Sequence, residues 1–317
     1  MHYNGQPISD TNGNPIHAHG GYMLRYGEYW YWYGEDRRGD SYVSCYRSAD
    51  LHNWEHRGTV LSANSPTKSM RVHSDLTLRR KNVGSNTTPS LNVIPPEAGK
   101  VNIERPKVLY CQKTGQFVMW AHYENGENYN AAAACIATSD TPDGEFTYRG
   151  SFRPYGNMSR DCTLFLDDDG EAYFLSASRD NADLKVYRLA PDFMNVDEEI
   201  RTLFQGEYRE APAVFKRNGK YYMLSSHCTG WAPNQGKYAT ADRMDGRWSL
   251  LTNFGDSTTF LSQPAFVLTP DNGRVIYVGD RWGGGGAAYF DSTYVMLELQ
   301  FDENGAMHME YAEESAL

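Results

Sequence analysis

Apolar and polar positions alternate along this chain in short runs separated by glycine-bearing turns. The period is two rather than 3.6, which predicts strands and hairpins and not amphipathic helices. One unit recurs five times: a turn centred on glycine, then an aromatic or β-branched strand. The copies are Arg25–Trp32, Lys113–Trp120, Asp168–Phe174, Arg217–Met223 and Asp271–Tyr277, with Gly27, Gly115, Gly170, Gly219 and Gly273 at the turns. Glycine suits a tight hairpin because it adopts positive φ without a steric penalty.

The glycines are 88, 55, 49 and 54 residues apart. The first interval holds a stretch rich in Ser, Asn, Thr and Pro over 64–100, carrying Arg79-Arg80-Lys81, which reads as an inserted loop. Without it the interval is about 51, so the repeat is about 50 residues long. A second hairpin follows each copy: Val43–Ser48, Ala134–Ser139, Leu184–Arg188, Lys237–Thr240 and Tyr294–Glu298 each run on to a further turn or aromatic residue. Two hairpins make a four-stranded blade, and five blades make an all-β, five-bladed β-propeller. A two-sheet sandwich would not produce this period. The expected organisation is a single propeller domain over 1–317, with 64–100 inserted between blades one and two.

Composition narrows the partner. The 317 residues include 7 Trp, 23 Tyr and 13 Phe, and 30 Lys and Arg against 40 Asp and Glu give a net charge of −10. This charge opposes binding to nucleic acid or to an anionic membrane. No apolar run is long enough to cross a bilayer. Met1–Gln6 has neither the basic nor the apolar region of a signal peptide, so the expected location is cytoplasmic, or secreted for a chain whose signal peptide has been removed. The five cysteines are scattered, without a CxxC pair, and read as small buried residues.

The chemistry is expected where the innermost strands line the propeller axis, about ten residues before each turn glycine. Blade two places Glu104 there, blade three Asp161, blade four Glu210 and blade five Gln263, whereas blade one offers Pro15–Gly21 with His17 and His19. Glu104 and Glu210 each neighbour an arginine, so either alone would suit a structural ion pair. Three carboxylates in register on successive blades point instead to one axial pocket. Converging carboxylates spread their pKa values, leaving one a proton donor and another ionised, as glycoside hydrolysis requires.

Around these positions, Trp231 sits in a glycine-bearing loop where it would either stack on a sugar face or join the core, with Thr229 and Asn234 flanking it as hydroxyl contacts. Glu35 closes the Tyr31–Glu35 strand, where it would either accept hydrogen bonds from a sugar or end the strand in solvent. His17, His19, His122 and His227 match no zinc spacing, so no metal is expected, and His19 reads as a hydrogen-bond donor inside the pocket. Gly283–Gly286 lacks a following P-loop lysine and reads as a rim loop. Asp167–Gly170 lacks the spaced ligands of a calcium loop. No cofactor is expected.

The runs Ala18–Gly21, Tyr31–Glu35, Glu104–Val108, Ser159–Asp161, Arg209–Ala213, Cys228–Asn234 and Gly279–Trp282 together resemble glycoside hydrolase family 43, within it the group containing exo-β-1,3-galactanases. The resemblance spans residues 14–300 or so. It implies an inverting enzyme with Asp161 as the pKa-modulating carboxylate and Glu210 as the general acid. The wider family carries its general base as an Asp on blade one; this chain has none there, a gap the galactanase-like group shares. That group implies Gln263, as an imidic-acid tautomer, for the base, with Glu104 positioning water or sugar. The other reading has Gln263 orient water while Glu104 is the base. Tyr129 and Asn181 resemble positions that contact the terminal sugar. The implied activity is release of galactose from the β-1,3-galactan main chain of arabinogalactan, with an oligo- or polysaccharide as partner. The alternatives are an α-L-arabinofuranosidase or galactofuranosidase of the same fold, and a non-catalytic carbohydrate-binding propeller.

Overall fold

The computed structural model describes residues 2–68, 70, 78 and 99–317. It is a five-bladed β-propeller. Each blade is a four-stranded antiparallel sheet of consecutive strands, and among the described residues no strand is exchanged between blades. The innermost strands are His19–Tyr26, Asn102–Cys111, Cys162–Leu166, Arg209–Arg217 and Gln263–Leu268, each packed against the next around a closed ring. The five turn glycines all have positive φ, between 61° and 86°. Most of the inserted stretch at 64–100, including Arg79-Arg80-Lys81, lies outside the described residues; its described start pairs Thr67 with Tyr148 of blade two.

The core is divided among the gaps between blades, with one apolar cluster in each of the five. A blade is therefore buried on both faces, which explains strands such as Ala133–Ser139 that are buried at every position. Alternation then sorts residues between two gaps rather than between core and solvent. Tyr31 and Tyr33 pack toward blade two, while Trp32 packs toward blade five.

Four innermost strands carry a β-bulge near the end that leads into the central cavity. Arg105 and Pro106 lie opposite Ala121 alone, and Ala211 and Pro212 lie opposite Ser225 alone. Similar register shifts follow His19 and Pro264. The prolines lack an N–H, so a bulge is where an inner strand tolerates them. Arg105 and Ala211 occupy the left-handed region at φ 52°. The bulge turns the strand so that the residue before it, Glu104 or Glu210, faces the axis. Close approach fixes one glycine nearby: a Cβ on Gly34 would lie 2.0 Å from the backbone of Ala18.

Without an exchanged strand, the ring is closed by the N-terminal segment. Asn4 is buried; its Nδ2 donates to the carbonyls of Ala312 and Glu314 at 2.9 and 3.1 Å, and its Oδ1 accepts from the amide of Met296 at 2.7 Å. Replacing Asn4 with Ala leaves these backbone groups unpaired. The expected cost is about 2–3 kcal/mol, read as a lower midpoint in chemical denaturation.

Candidate active site

One cavity of about 340 Å3 opens at the axis and takes side chains from all five blades. A larger groove, about 1120 Å3, lies among the hairpin turns of blades two to four and contains none of the candidate residues. The axial cavity is built from two kinds of segment. The starts of the inner strands bring Glu104, Asp161, Glu210 and Gln263. The connections after the second strands bring Arg37, Tyr129, Asn181, Cys228, Trp231 and Trp282, and Glu35 ends the second strand of blade one.

Arg105 forms the floor. Its Nε lies 2.8 Å from Asp161 Oδ2, its Nη1 donates to the carbonyl of Pro264 at 2.8 Å, and its Nη2 donates to Gln263 Oε1. Its backbone N–H donates to Glu35 Oε1 at 3.1 Å. Asp161 Oδ2 also accepts from the amide of Ala211 at 3.1 Å, which ties it to the bulge beside Glu210.

Glu210 accepts from Gln263 Nε2 at 2.9 Å and from Asn181 Nδ2 at 3.2 Å. Burial raises its pKa, the negative charge of Asp161 raises it further, and the carboxyl is pushed up to about 7. Glu104 has the opposite balance. Burial pushes it up, but His122, Arg37 and the hydroxyl of Tyr129 outweigh burial and hold it at about 2. Tyr129 donates to Glu104 Oε1 at 2.8 Å, and Arg37 Nη2 donates to the same oxygen at 3.2 Å. Arg37 also bonds Glu35 Oε2 at 3.1 Å and lies over the ring of Tyr289. Burial raises the pKa of Glu35, against the pull of Arg37. One pocket thus holds a carboxyl that is protonated near neutrality and another that is ionised throughout, as a general acid and a water-side carboxylate require.

Gln263 is held at every polar atom. Its Nε2 hydrogens go to Glu210 and to Ser226 Oγ, the latter at 2.9 Å, and its Oε1 accepts from Arg105 and from Trp282 Nε1. Trp282 and Arg105 are donors only, which fixes the orientation of the amide.

Trp231 overhangs the mouth, 42% exposed, with its ring edge-on to Trp282 at 5.5 Å. Three expected contacts lie elsewhere. The hydroxyl of Thr229 donates to the carbonyl of Ala232, and Asn234 bonds both backbone groups of His227 and the Thr229 hydroxyl, so these side chains brace the loop that carries Trp231 instead of lining the cavity. His19 is fully buried, stacked on Tyr294 at 4.6 Å with Nδ1 3.0 Å from Asp280, and contributes nothing to the cavity surface. Sequence reasoning did not single out Arg37 or Cys228 for the pocket. Arg37 stands next to the Glu35-Asp36 pair, and Cys228 opens the Cys228–Asn234 run, so the signals were position alone.

Residues 108–259 match the family model for glycosyl hydrolases family 43. A β-1,3-galactosidase of that family, solved with galactodeoxynojirimycin, is 31% identical over 99% of each chain, with a TM-score of 0.83. The chain belongs to glycoside hydrolase family 43. Another relative in this family, an exo-β-1,3-galactanase from Clostridium thermocellum, is 46% identical with a TM-score of 0.84, over 98% of this chain and 65% of that one. A β-D-galactofuranosidase from Aspergillus niger is 24% identical over 250 residues, which is 75% of this chain and 65% of that protein. The family-43 chain therefore spans about two thirds of the length of these last two relatives. Among its described residues, no helix is long and apolar enough to cross a membrane.

The two pKa shifts set a pH profile. Glu210 must carry its proton to act as an acid, so kcat/KM on a saccharide substrate is expected to hold across weakly acidic pH and fall about tenfold per unit above about pH 7. Asp161→Asn removes a charge that raises Glu210 and is expected to move that alkaline limb down by about one unit. A kinetic pH titration of both proteins checks this.

Proposed function

We propose that this family-43 chain is an inverting, exo-acting glycoside hydrolase that releases galactose from β-1,3-galactan. The observation that carries the chemistry is the pair of opposed environments in one cavity: burial and Asp161 raise Glu210 to about 7, while His122, Arg37 and Tyr129 hold Glu104 at about 2. The substrate is favoured by the 46% and 31% identical relatives, whose names give β-1,3-galactanase and β-1,3-galactosidase. Exo action is favoured by a pocket walled by all five blades and floored by Arg105, which admits a chain end rather than a passing chain.

In this reading Glu210 donates its proton to the glycosidic oxygen as the bond to the anomeric carbon breaks. Asp161, held by Arg105, keeps Glu210 protonated until then. Water attacks the opposite face and loses its proton to Glu104. A weakly basic carboxylate suffices, because the attacking water becomes strongly acidic as its bond to the anomeric carbon forms. Inversion needs roughly 6.5–9.5 Å between acid and base to hold that water. Glu104 and Glu210 stand on blades that are not neighbours, whereas Gln263 is already hydrogen-bonded to Glu210. An imidic acid would need a hydroxyl at Oε1, facing the donors of Arg105 and Trp282, with no acceptor there. Gln263 acts as an amide that aims Glu210. Trp231 stacks on the sugar at the mouth, and Tyr129, Asn181 and Glu35 hold its hydroxyls.

The test is product analysis by NMR on β-1,3-galacto-oligosaccharides, with nitrophenyl α-L-arabinofuranoside and β-D-galactofuranoside in parallel. Galactose appearing first as the α-anomer is expected. Furanose release alone would transfer the substrate to the furanosidase reading, and no release from any of them would favour a binding propeller. Glu210→Gln is expected to slow galactan cleavage about 100- to 10,000-fold. Glu104→Ala with azide is expected to form α-galactosyl azide, whereas azide rescue of Gln263→Ala alone would assign the base to Gln263.

A further inference from the structure

Behind Glu104 lies a second carboxylate that the proposed reaction does not use. Glu124 is completely buried, and His122 is 1% exposed between the two acids. His122 Nε2 is 2.9 Å from Glu124 Oε1, and its Nδ1 is 3.3 Å from Glu104 Oε2. The strand Gln116–Glu124 produces this line directly. His122 is the cross-strand partner of Glu104, and Glu124 is two residues further along the same face.

We infer that His122, pinned by Glu124, is a positioning residue that aims Glu104 at the attacking water and keeps it ionised. This rests on the reading that Glu104 stands on the water side. Two carboxylates facing one another in a dry site repel unless a cation lies between them. Imidazolium fits because Nε2 hydrogen-bonds Glu124 while the positive charge at Nδ1 stands at ion-pair distance from Glu104.

The surroundings fit this role. Glu104 is faced by Arg37 from the connection after Glu35, by His122 from the adjacent strand, by the Tyr129 hydroxyl and, through charge, by Glu35. Glu124 faces His122, the amide of Ala132 at 3.0 Å and Arg160 at 3.9 Å. Burial lowers the pKa of His122, but hydrogen bonding and charge from Glu104 and Glu124 outweigh it and raise it to about 9, so the ring is cationic wherever Glu210 is protonated. Glu124 also ties down the end of the Tyr129 loop through the amide of Ala132, a residue at a positive φ of 41°. One buried carboxylate therefore anchors two of the three groups that grip Glu104.

The experiment uses the full chain and two near-isosteric variants, His122→Gln and Glu124→Gln, because the first alone could fail to fold. NMR of the His122 ring nitrogens is expected to show both protonated at pH 7, with a midpoint near pH 9 that falls by a unit or more in Glu124→Gln. In both variants kcat/KM is expected to fall about tenfold or more, mainly through kcat, and the acidic limb to move to higher pH as Glu104 loses its cation. A neutral His122 at pH 7 would overturn the inference, as would a folded Glu124→Gln with unchanged kcat/KM and acidic limb. Glu104→Gln separates the two ideas. If it keeps full activity, the water-side reading fails, whereas the ring titration still reports whether His122 and Glu124 form the charged pair.

Discussion

The guanidinium of Arg105 is the charge around which this propeller is arranged. It is 4% exposed and sits where the inner strands meet. A buried cation is tolerated only when its donors are satisfied and its charge is balanced. Here the balance comes from Asp161 on blade three, the donors are spent on Gln263 and Pro264 of blade five, and the backbone N–H reaches Glu35 of blade one. Burial opposes the charge, and Asp161 first, then Asp280 and Glu35, restore it, so the ion stays paired. One residue thus fixes the relative placement of several blades at the point where the chemistry occurs. The bulge at Arg105 and Pro106 is what brings the guanidinium inward.

From that centre the electrostatics fall into a gradient. Asp161 faces Arg105, while Glu210 faces Asp161 and the neutral groups of Asn181, Gln263 and Cys228. Glu104 lies among cations and a phenol. The same functional group, carried at equivalent positions on blades two and four, is therefore driven in opposite directions by its neighbours alone. The repeat supplies the positions, and the loops after the second strands supply the environments.

The same division explains what could be read in the sequence. The blades were legible because the signal is local: a turn glycine followed by a strand, five times. Glu104, Asp161, Glu210 and Gln263 were legible because each lies a near-constant distance before its glycine, and the neighbouring prolines mark the bulge in three of the four blades. Tyr129, Asn181 and Trp231 reach the cavity as expected from the resemblance and from their loops, and Glu35, which the sequence left open between a sugar contact and a solvated strand end, is buried there. Thr229 and Asn234 did not, because a short loop with polar side chains satisfies its own backbone first. His19 sits beside a bulge like those that aim Glu104 and Glu210, yet its ring packs beneath the floor on Tyr294. The roles of Arg37 and His122 were hidden for another reason. What each does depends on partners from other strands and blades, and no single run of sequence carries that information.

The central claim is that one pocket holds Glu210 neutral and Glu104 ionised at the same pH. Carboxyl-carbon NMR on glutamate-labelled protein tests it directly, with Glu210→Gln and Glu104→Gln used to assign the two signals. The account predicts that one carboxyl titrates near pH 7 and disappears in Glu210→Gln, while the other stays ionised down to about pH 2 and disappears in Glu104→Gln. Two carboxyls titrating together in the ordinary range near pH 4 would contradict it.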